Sequence, residues 1–347
     1  MHTIFLLVMT GLLTYNASIE EQAIVGGIVL TAEIKAPGNR DKMHSTLKQM
    51  KKKWRVYVFL LLPVAHIIIF SYVPMYGIQI AFRRYTTRGG FRGSEWVGME
   101  NIMRYFKSYY FWRTFCNTLF TSVYWIVVMY PLSILLALMI NASPFPRFRS
   151  AVQNITYMPN FISVVVMAGM ILQFLNVGTG PYGIVYRFLT NGAEPPNLLA
   201  MPQAFRHIYV WSGAWQSLGW GTIIYIAALA AVDPSLHEAA IVDGASRWQR
   251  ILHVDIPGIM PTMIIQLILT MGGILSIGFD KAYLLQNDLN IMTSEMISTY
   301  TYKAAFESAQ ADYSYSTAIS LFNSIVNGIM LVIVNSTANK LSGSSLW

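Results

Sequence analysis

EAAIVDGASRWQRILHVDIP, residues 238 to 257, is a charged, turn-broken segment between long apolar runs, and its reading decides how the rest of the chain is arranged. Just upstream, Asp233 and Pro234 pair an N-cap acceptor with the residue best suited to the first helical position, so a helix starts there. It runs through Leu236, Glu238, Ala239 and Ala240 to about Asp243, where Gly244 supplies the permissive backbone that ends a helix. Ser246 and Gln249 have the spacing of a capping box, which restarts the chain, and Pro257 is predicted to stop the second helix at about Ile256. Two short helices joined by a bend are the expectation.

The apolar surroundings give the class. Hydrophobic residues make up 54% of the chain and charged residues 12%, with a mean hydropathy of +0.46, the balance of a polytopic membrane protein. Six apolar stretches are long enough to cross a ~30 Å hydrocarbon core: about 56 to 80, 115 to 140, 155 to 177, 206 to 232, 259 to 279 and 315 to 337. All six are predicted as helices, because lipid offers backbone groups no other partner. The fold class is therefore all-α, a membrane helical bundle of six transmembrane helices. Apart from Arg206 at the edge of the fourth, these stretches contain no Asp, Glu, Lys or Arg. Ion-coupled carriers keep such groups at membrane depth, so the driving energy here is expected from outside the bilayer.

Lys48, Lys51, Lys52, Lys53 and Arg55 directly precede the first stretch, which places that flank in the cytoplasm. Six crossings return the C-terminus, and the 238 to 257 segment, to the same side. Arg83, Arg84, Arg88, Arg92, Arg104, Lys107 and Arg113 would then face outward, against the charge rule. Cys116 is the one cysteine, which excludes an intrachain disulfide and a multi-cysteine metal site. Residues 1 to 50 form an N-terminal extension with two readings: an interfacial segment built on Ile4 to Leu13, or an upstream stretch with Met43 or Met50 as the working start.

The motif Glu238, Ala239, Ala240, Gly244, Val254, Ile256 and Pro257, with Asp243 and Ala245 adding a DGA form, resembles the EAA loop of ABC importer permeases. From residue 51 to 347 the chain is similar to the maltose-permease type of sugar-importer subunit, and within it to permeases for oligosaccharides such as aldouronate, polygalacturonan or alginate fragments. PMYGIQIAF at 74 to 82, YMPNFISVVV at 157 to 166 and GFDKAYLLQN at 278 to 287 carry the likeness further. The resemblance implies a transmembrane domain over 51 to 347 with a cytoplasmic coupling loop at 233 to 258. It implies as partners a second permease subunit, a cytosolic ATPase dimer that holds ATP and Mg, an extracytoplasmic solute-binding protein, membrane lipid and an oligosaccharide, with no nucleic acid. It implies that this chain, in the cytoplasmic membrane, carries no catalytic residue, metal or cofactor of its own, and that Glu238 pairs with a basic group on the ATPase.

Sugars are held by stacking on aromatic faces and by amides that satisfy hydroxyls. Trp211, Trp215, Gln216, Trp220 and Tyr225 in the outer half of the fourth stretch, with Asn323 and Asn327 one turn apart in the sixth, are the substrate-path candidates. Tryptophans near span ends also form interfacial belts, and amides also join helices. The stretch 178 to 189 suits a short surface helix or a connector. An importer of another solute is the nearest alternative function, although an anion would call for cations in the spans. A polytopic membrane glycosyltransferase is the distant one, since it needs grouped carboxylates or histidines.

Overall fold

The computed structural model describes residues 53–307, 311–343 and 345–346, so the expectations for residues 1 to 50 lie outside it. The chain divides into two units, residues 1 to 71 and 72 to 347. The first contains helix α1 (Trp54–Ile67), with Pro63 inside it, followed by a π-helical turn beginning at Ile68. The helical run Val58–Phe82 is long and apolar enough to cross a membrane.

The second unit opens with a single helical turn, Val73–Met75, then a 3-10 segment, Tyr76–Phe82, and a two-residue antiparallel ribbon, β1 (Arg83–Arg84) with β2 (Glu95–Trp96), in the register Arg83 to Trp96. Then come α2 (Glu100–Lys107), α3 (Tyr110–Ala142), α4 (Pro146–Tyr157), α5 (Val164–Phe174), α6 (Pro181–Leu189) and α7 (Pro202–Ala230). The elbow helices α8 (Pro234–Val242) and α9 (Arg247–Arg250) lead to α10 (Ile256–Met271). Short helices α11 (Phe279–Leu285), α12 (Ile291–Ser294) and α13 (Ile297–Tyr302) precede the last long one, α14 (Tyr313–Ser342).

Among the described residues four helical runs meet the length and hydropathy of a span, and two bent pairs bring the number to six if each counts as one. One bent pair corrects the third predicted span. Residues 155 to 177 are not one helix: α4 and the 3-10 turn Met158–Phe161 meet α5 at 95°. Ile162 is extended, and Ser163 caps α5 by accepting from the Val166 N–H, so a new helix starts where a continuous one was expected. α6 is a short helix, as the 178 to 189 stretch suggested.

α7 packs along α3, and small residues set how closely they approach. A Cβ on Gly213 would lie 2.5 Å from the Trp125 ring, and one on Gly221 would lie 2.8 Å from Ser133 Oγ. α3 meets its neighbours through hydroxyls: Tyr105 bonds Thr114 at 2.9 Å, and Thr118 donates to the Thr114 carbonyl while accepting from the Ile297 N–H at 2.9 Å. Arg206, the one cation of the predicted spans, donates to Asn117 Oδ1 at 2.9 Å. The basic loop that opposed the charge rule is largely held by the fold. Arg84 pairs with Glu95 and Glu100, Arg104 with Asp312 at 2.6 Å, Arg113 with Glu295, and Arg83 donates to the carbonyls of Phe91 and Ser94.

Candidate functional site

The elbow is built as its sequence suggests. Asp233 accepts from the Ser235 N–H at 2.9 Å and Pro234 occupies the first turn of α8; the bonds from Ser235 hold the Asp233 carboxyl below its ordinary range. At the far end the Ala245 N–H donates to the Ala240 carbonyl and the Gly244 N–H to that of Ile241. This is the Schellman arrangement, and it requires the left-handed backbone that Gly244 adopts at φ +77°. Ser246 and Gln249 then form the reciprocal capping box, with the Ser246 N–H donating to Gln249 Oε1 at 2.7 Å.

Pro257 corrects the expectation for the second helix. The chain stays helical through it, from Arg247 to Met271, and Pro257 lies in the first turn of α10. A proline ring would strike the carbonyl four residues back, and the π-helical turn Ile251–Asp255 widens the ladder at that place.

α8 is bent 71° from α7 and carries Glu238 and Ala239 on an exposed surface, with the apolar side chains of Leu236, Ile241, Val242 and Trp248 also in the open. Val242 is 88% exposed. These bare apolar groups surround a charged turn. Behind it the elbow is strapped to the bundle. Asp255, at the foot of α10, is buried, with Oδ1 3.3 Å from His237 Nε2 on α8 and 3.5 Å from Asn141 Nδ2 at the end of α3.

Away from the elbow, α3, α7 and the end of α10 enclose a cavity of about 340 Å³. Trp125 and Ser122 line it from α3, Gln216 and Ser217 from α7, and Ser276, Asp280 and Lys281 from the turn after α10 and the start of α11. Of the substrate-path candidates, Gln216 lines this cavity, and its Nε2 donates to the Ile162 carbonyl at 2.8 Å. Trp211, Trp215 and Trp220 stand half-exposed on α7, with Trp211 Nε1 donating to the Tyr124 hydroxyl and Trp220 edge-on to Phe161. Tyr225 is not in the outer half: it is buried with Ile134, Leu138 and Ile259 in the cluster that also touches Val232 and Ile251 beside the elbow. Asn327 ties α14 to the turn that follows α10, accepting from the Leu275 N–H at 2.9 Å and donating to Ser276 Oγ at 2.8 Å. Asn323 lines a separate groove with Phe279 and Tyr302, and its buried Oδ1 has no partner among the described residues.

The sequence reading missed Trp125, Ser122 and Lys281. Trp125 lies mid-helix, away from the tryptophan-rich fourth stretch, and Lys281 sits among loop acids. Gly213 was the available signal, since its missing side chain makes room for both.

A helical membrane bundle with an exposed, bent elbow and a part-open cavity that sets a few polar groups among mostly apolar ones fits a transport subunit. Residues 129–339 match the family described as binding-protein-dependent transport system inner membrane component, and the chain belongs to that family. It is 35% identical over 323 residues to the polygalacturonan/rhamnogalacturonan transport system permease protein YteP of Bacillus subtilis (strain 168), covering 91% of this chain and 99% of that protein. It is 25% identical over 294 residues to the arabinooligosaccharides transport system permease protein AraP of the same organism, covering 83% of this chain and 84% of that one. Among solved structures, a chain of a bacterial alginate ABC transporter in complex with an alginate pentasaccharide-bound periplasmic protein is 35% identical, with a TM-score of 0.77 over 86% of this chain and 98% of its own. The protein is a membrane permease subunit and not an enzyme; in such importers ATP is hydrolysed on a separate subunit.

Proposed function

We propose that this chain is one of two permease subunits of an ATP-driven importer that carries oligosaccharides across the cytoplasmic membrane by alternating access, with both termini in the cytoplasm. A dimeric ATPase, which holds the ATP and Mg, docks on the elbow, and an extracytoplasmic solute-binding protein delivers the sugar. The observation that carries this reading is the elbow. Glu238 and the bare apolar side chains of α8 offer a charged and greasy dock, Ala239 and Ala240 allow close approach, and Asp255 ties the dock to α3 and α10. Nucleotide-driven closure of the ATPase would thereby pull on helices that wall the cavity.

The test is reconstitution of the four components in proteoliposomes with labelled oligosaccharides. ATP-dependent uptake, together with a nucleotide-sensitive cross-link from Glu238→Cys to the ATPase, is the expected result. Uptake that ignores ATP, or an elbow labelled only by an external membrane-impermeant reagent, would remove the proposal.

Three further results are expected in the same system. Asp255→Ala, which releases His237 and Asn141, lowers sugar moved per ATP by roughly tenfold, within the ordinary span of coupling energies; an unchanged ratio would show that the strap transmits nothing. Trp125→Ala raises KM by roughly three- to tenfold, the worth of one aromatic stacking face. Trp215→Ala, on the exposed face, weakens uptake without loss of ATPase docking. Identical kinetics would assign Trp125 to helix packing and Trp215 to the interfacial belt.

A further inference from the structure

Asn323, one of the two carboxamides of the last span, stands in a groove apart from the transport cavity. The groove, of about 590 Å³, runs between α14 and α13 with its π-helical continuation, Lys303–Glu307. Tyr313 and Asn323 mark its ends on α14, about 15 Å apart at a rise of ~1.5 Å per residue. Two buried polar atoms in it have no partner among the described residues: Asn323 Oδ1 from α14 and Ser298 Oγ from α13. A buried polar group left unpaired costs about 1–3 kcal/mol, so the groove suits an occupant that brings hydrogen-bonding groups of its own. Thr317 and Ser320 add hydroxyls to the α14 side. A lipid chain would satisfy none of them.

The rest of the wall is aromatic. Phe279 and Tyr302 have ring centres 4.9 Å apart, Tyr302 and Phe306 5.2 Å, and Phe306 and Tyr313 6.2 Å, so four rings follow one another along the groove. That spacing is close to the repeat of a pyranose chain, whose C–H faces stack on such rings while its hydroxyls seek polar neighbours. Phe306 is 63% exposed, so much of its ring is open. The row ends beside the transport cavity: Phe279 lines the groove, while its neighbours Gly278 and Asp280 line the cavity. Tyr283, stacked on Phe279 at 5.3 Å, donates its hydroxyl to Glu307, which ties α11 to the π-turn and fixes that end of the row.

We propose that this groove is a landing track for the oligosaccharide, outside the transport cavity and leading to it at Phe279, and that it holds the trailing units of chains too long for the cavity alone. This rests on the oligosaccharide reading above, whose orientation turns the groove outward. With the leading units in the cavity, each further unit on the rings binds as part of the same molecule, so affinity rises with chain length. The groups that line the track are rings, hydroxyls and an amide, so it reads the shape and hydroxyls of the chain and not its charge.

The test uses the assembled complex of both permeases and the ATPase, carrying Phe306→Cys in a Cys116→Ser background and labelled with a membrane-impermeant maleimide. Uptake by the wild-type importer first shows which of the galacturonan and maltodextrin series it carries, and the di- and hexasaccharide of that series are then compared at equal concentration. The hexasaccharide is expected to slow labelling roughly three- to tenfold and the disaccharide by less than about twofold. Phe306→Ala is expected to weaken equilibrium binding of the hexasaccharide by roughly three- to tenfold, with recovery in Phe306→Trp, and Asn323→Leu by about two- to tenfold. A cysteine closed to maleimide before sugar is added would mean that lipid or the second permease fills the groove. Protection by the binding protein without sugar would make it a docking surface, and equal protection or equal losses at both lengths would make Phe306 and Asn323 structural. Each of these overturns the proposal, as do absence of protection and a wild-type importer that carries only the disaccharide, and all leave the sugar-import function intact. An importer that moves no sugar at all would remove both.

Discussion

Gly244→Pro is expected to abolish sugar uptake while ATP hydrolysis continues and the chain still inserts in the membrane. Proline holds φ near −65°, whereas Gly244 is at +77°, and proline has no N–H to donate to Ile241. The bend can then survive only at a cost of about 3 kcal/mol, a bias of roughly 100-fold against the docked geometry. Gly244→Ala, which keeps the N–H and strains the left-handed backbone by about 1–2 kcal/mol, should lose uptake by a smaller factor. Glu238→Lys tests the dock by charge in place of geometry and is expected to give the same uncoupling, with the elbow's own bonds intact. The measurement is the ratio of labelled sugar accumulated to phosphate released in proteoliposomes. Wild-type ratios in both Gly244→Pro and Glu238→Lys would mean that force enters the bundle elsewhere.

The second large effect is on stability. Glu295 and Arg113 form an ion pair that is nearly closed to solvent, with side chains 5% and 16% exposed, and the Arg113 guanidinium also stands 4.8 Å from the Tyr110 ring. Glu295→Ala strands a buried cation and is expected to destabilise the protein by about 3–5 kcal/mol. The pair replaced together, Arg113→Met with Glu295→Leu, is expected to come close to the wild type, because the cost arises from the orphaned charge and not from loss of an attraction. Thermal unfolding of the detergent-solubilised subunit reads both. Equal melting of the single and double variants would show that Arg113 finds other partners. The carboxamide of Asn117 donates to the Met292 and Glu295 carbonyls, so the loop keeps its anchor in either variant and the ion pair is what is measured.

Which features could be read from the sequence follows from how local their causes are. The elbow was legible because each device acts within five residues: Asp233 with Ser235, Ala245 with Ala240, Ser246 with Gln249. Pro257 misled because a stop was inferred from one residue, while the π-turn that accommodates it is a property of the preceding five. Hydropathy found the apolar lengths but not the break at Ile162, since a 95° corner within apolar sequence leaves average composition unchanged. The cavity was out of reach for a different reason. Which faces of α3 and α7 meet is decided by close contacts such as Gly213 against Trp125, and these join residues far apart in the chain. For the same reason Tyr225, whose composition suited a sugar, packs beside the elbow, and Lys281, which resembled a surface residue, lies inside.

The segment that follows α10 leaves the helix at Gly272, and two of its residues are spliced to α14 by one carboxamide, that of Asn327. A splint of this kind can be lifted off without unzipping a ladder of main-chain bonds. If α14 slides by a single turn, Leu275 loses its acceptor, Ser276 is freed to rotate, and the chamber changes shape from a displacement that begins near the opposite end of the polypeptide.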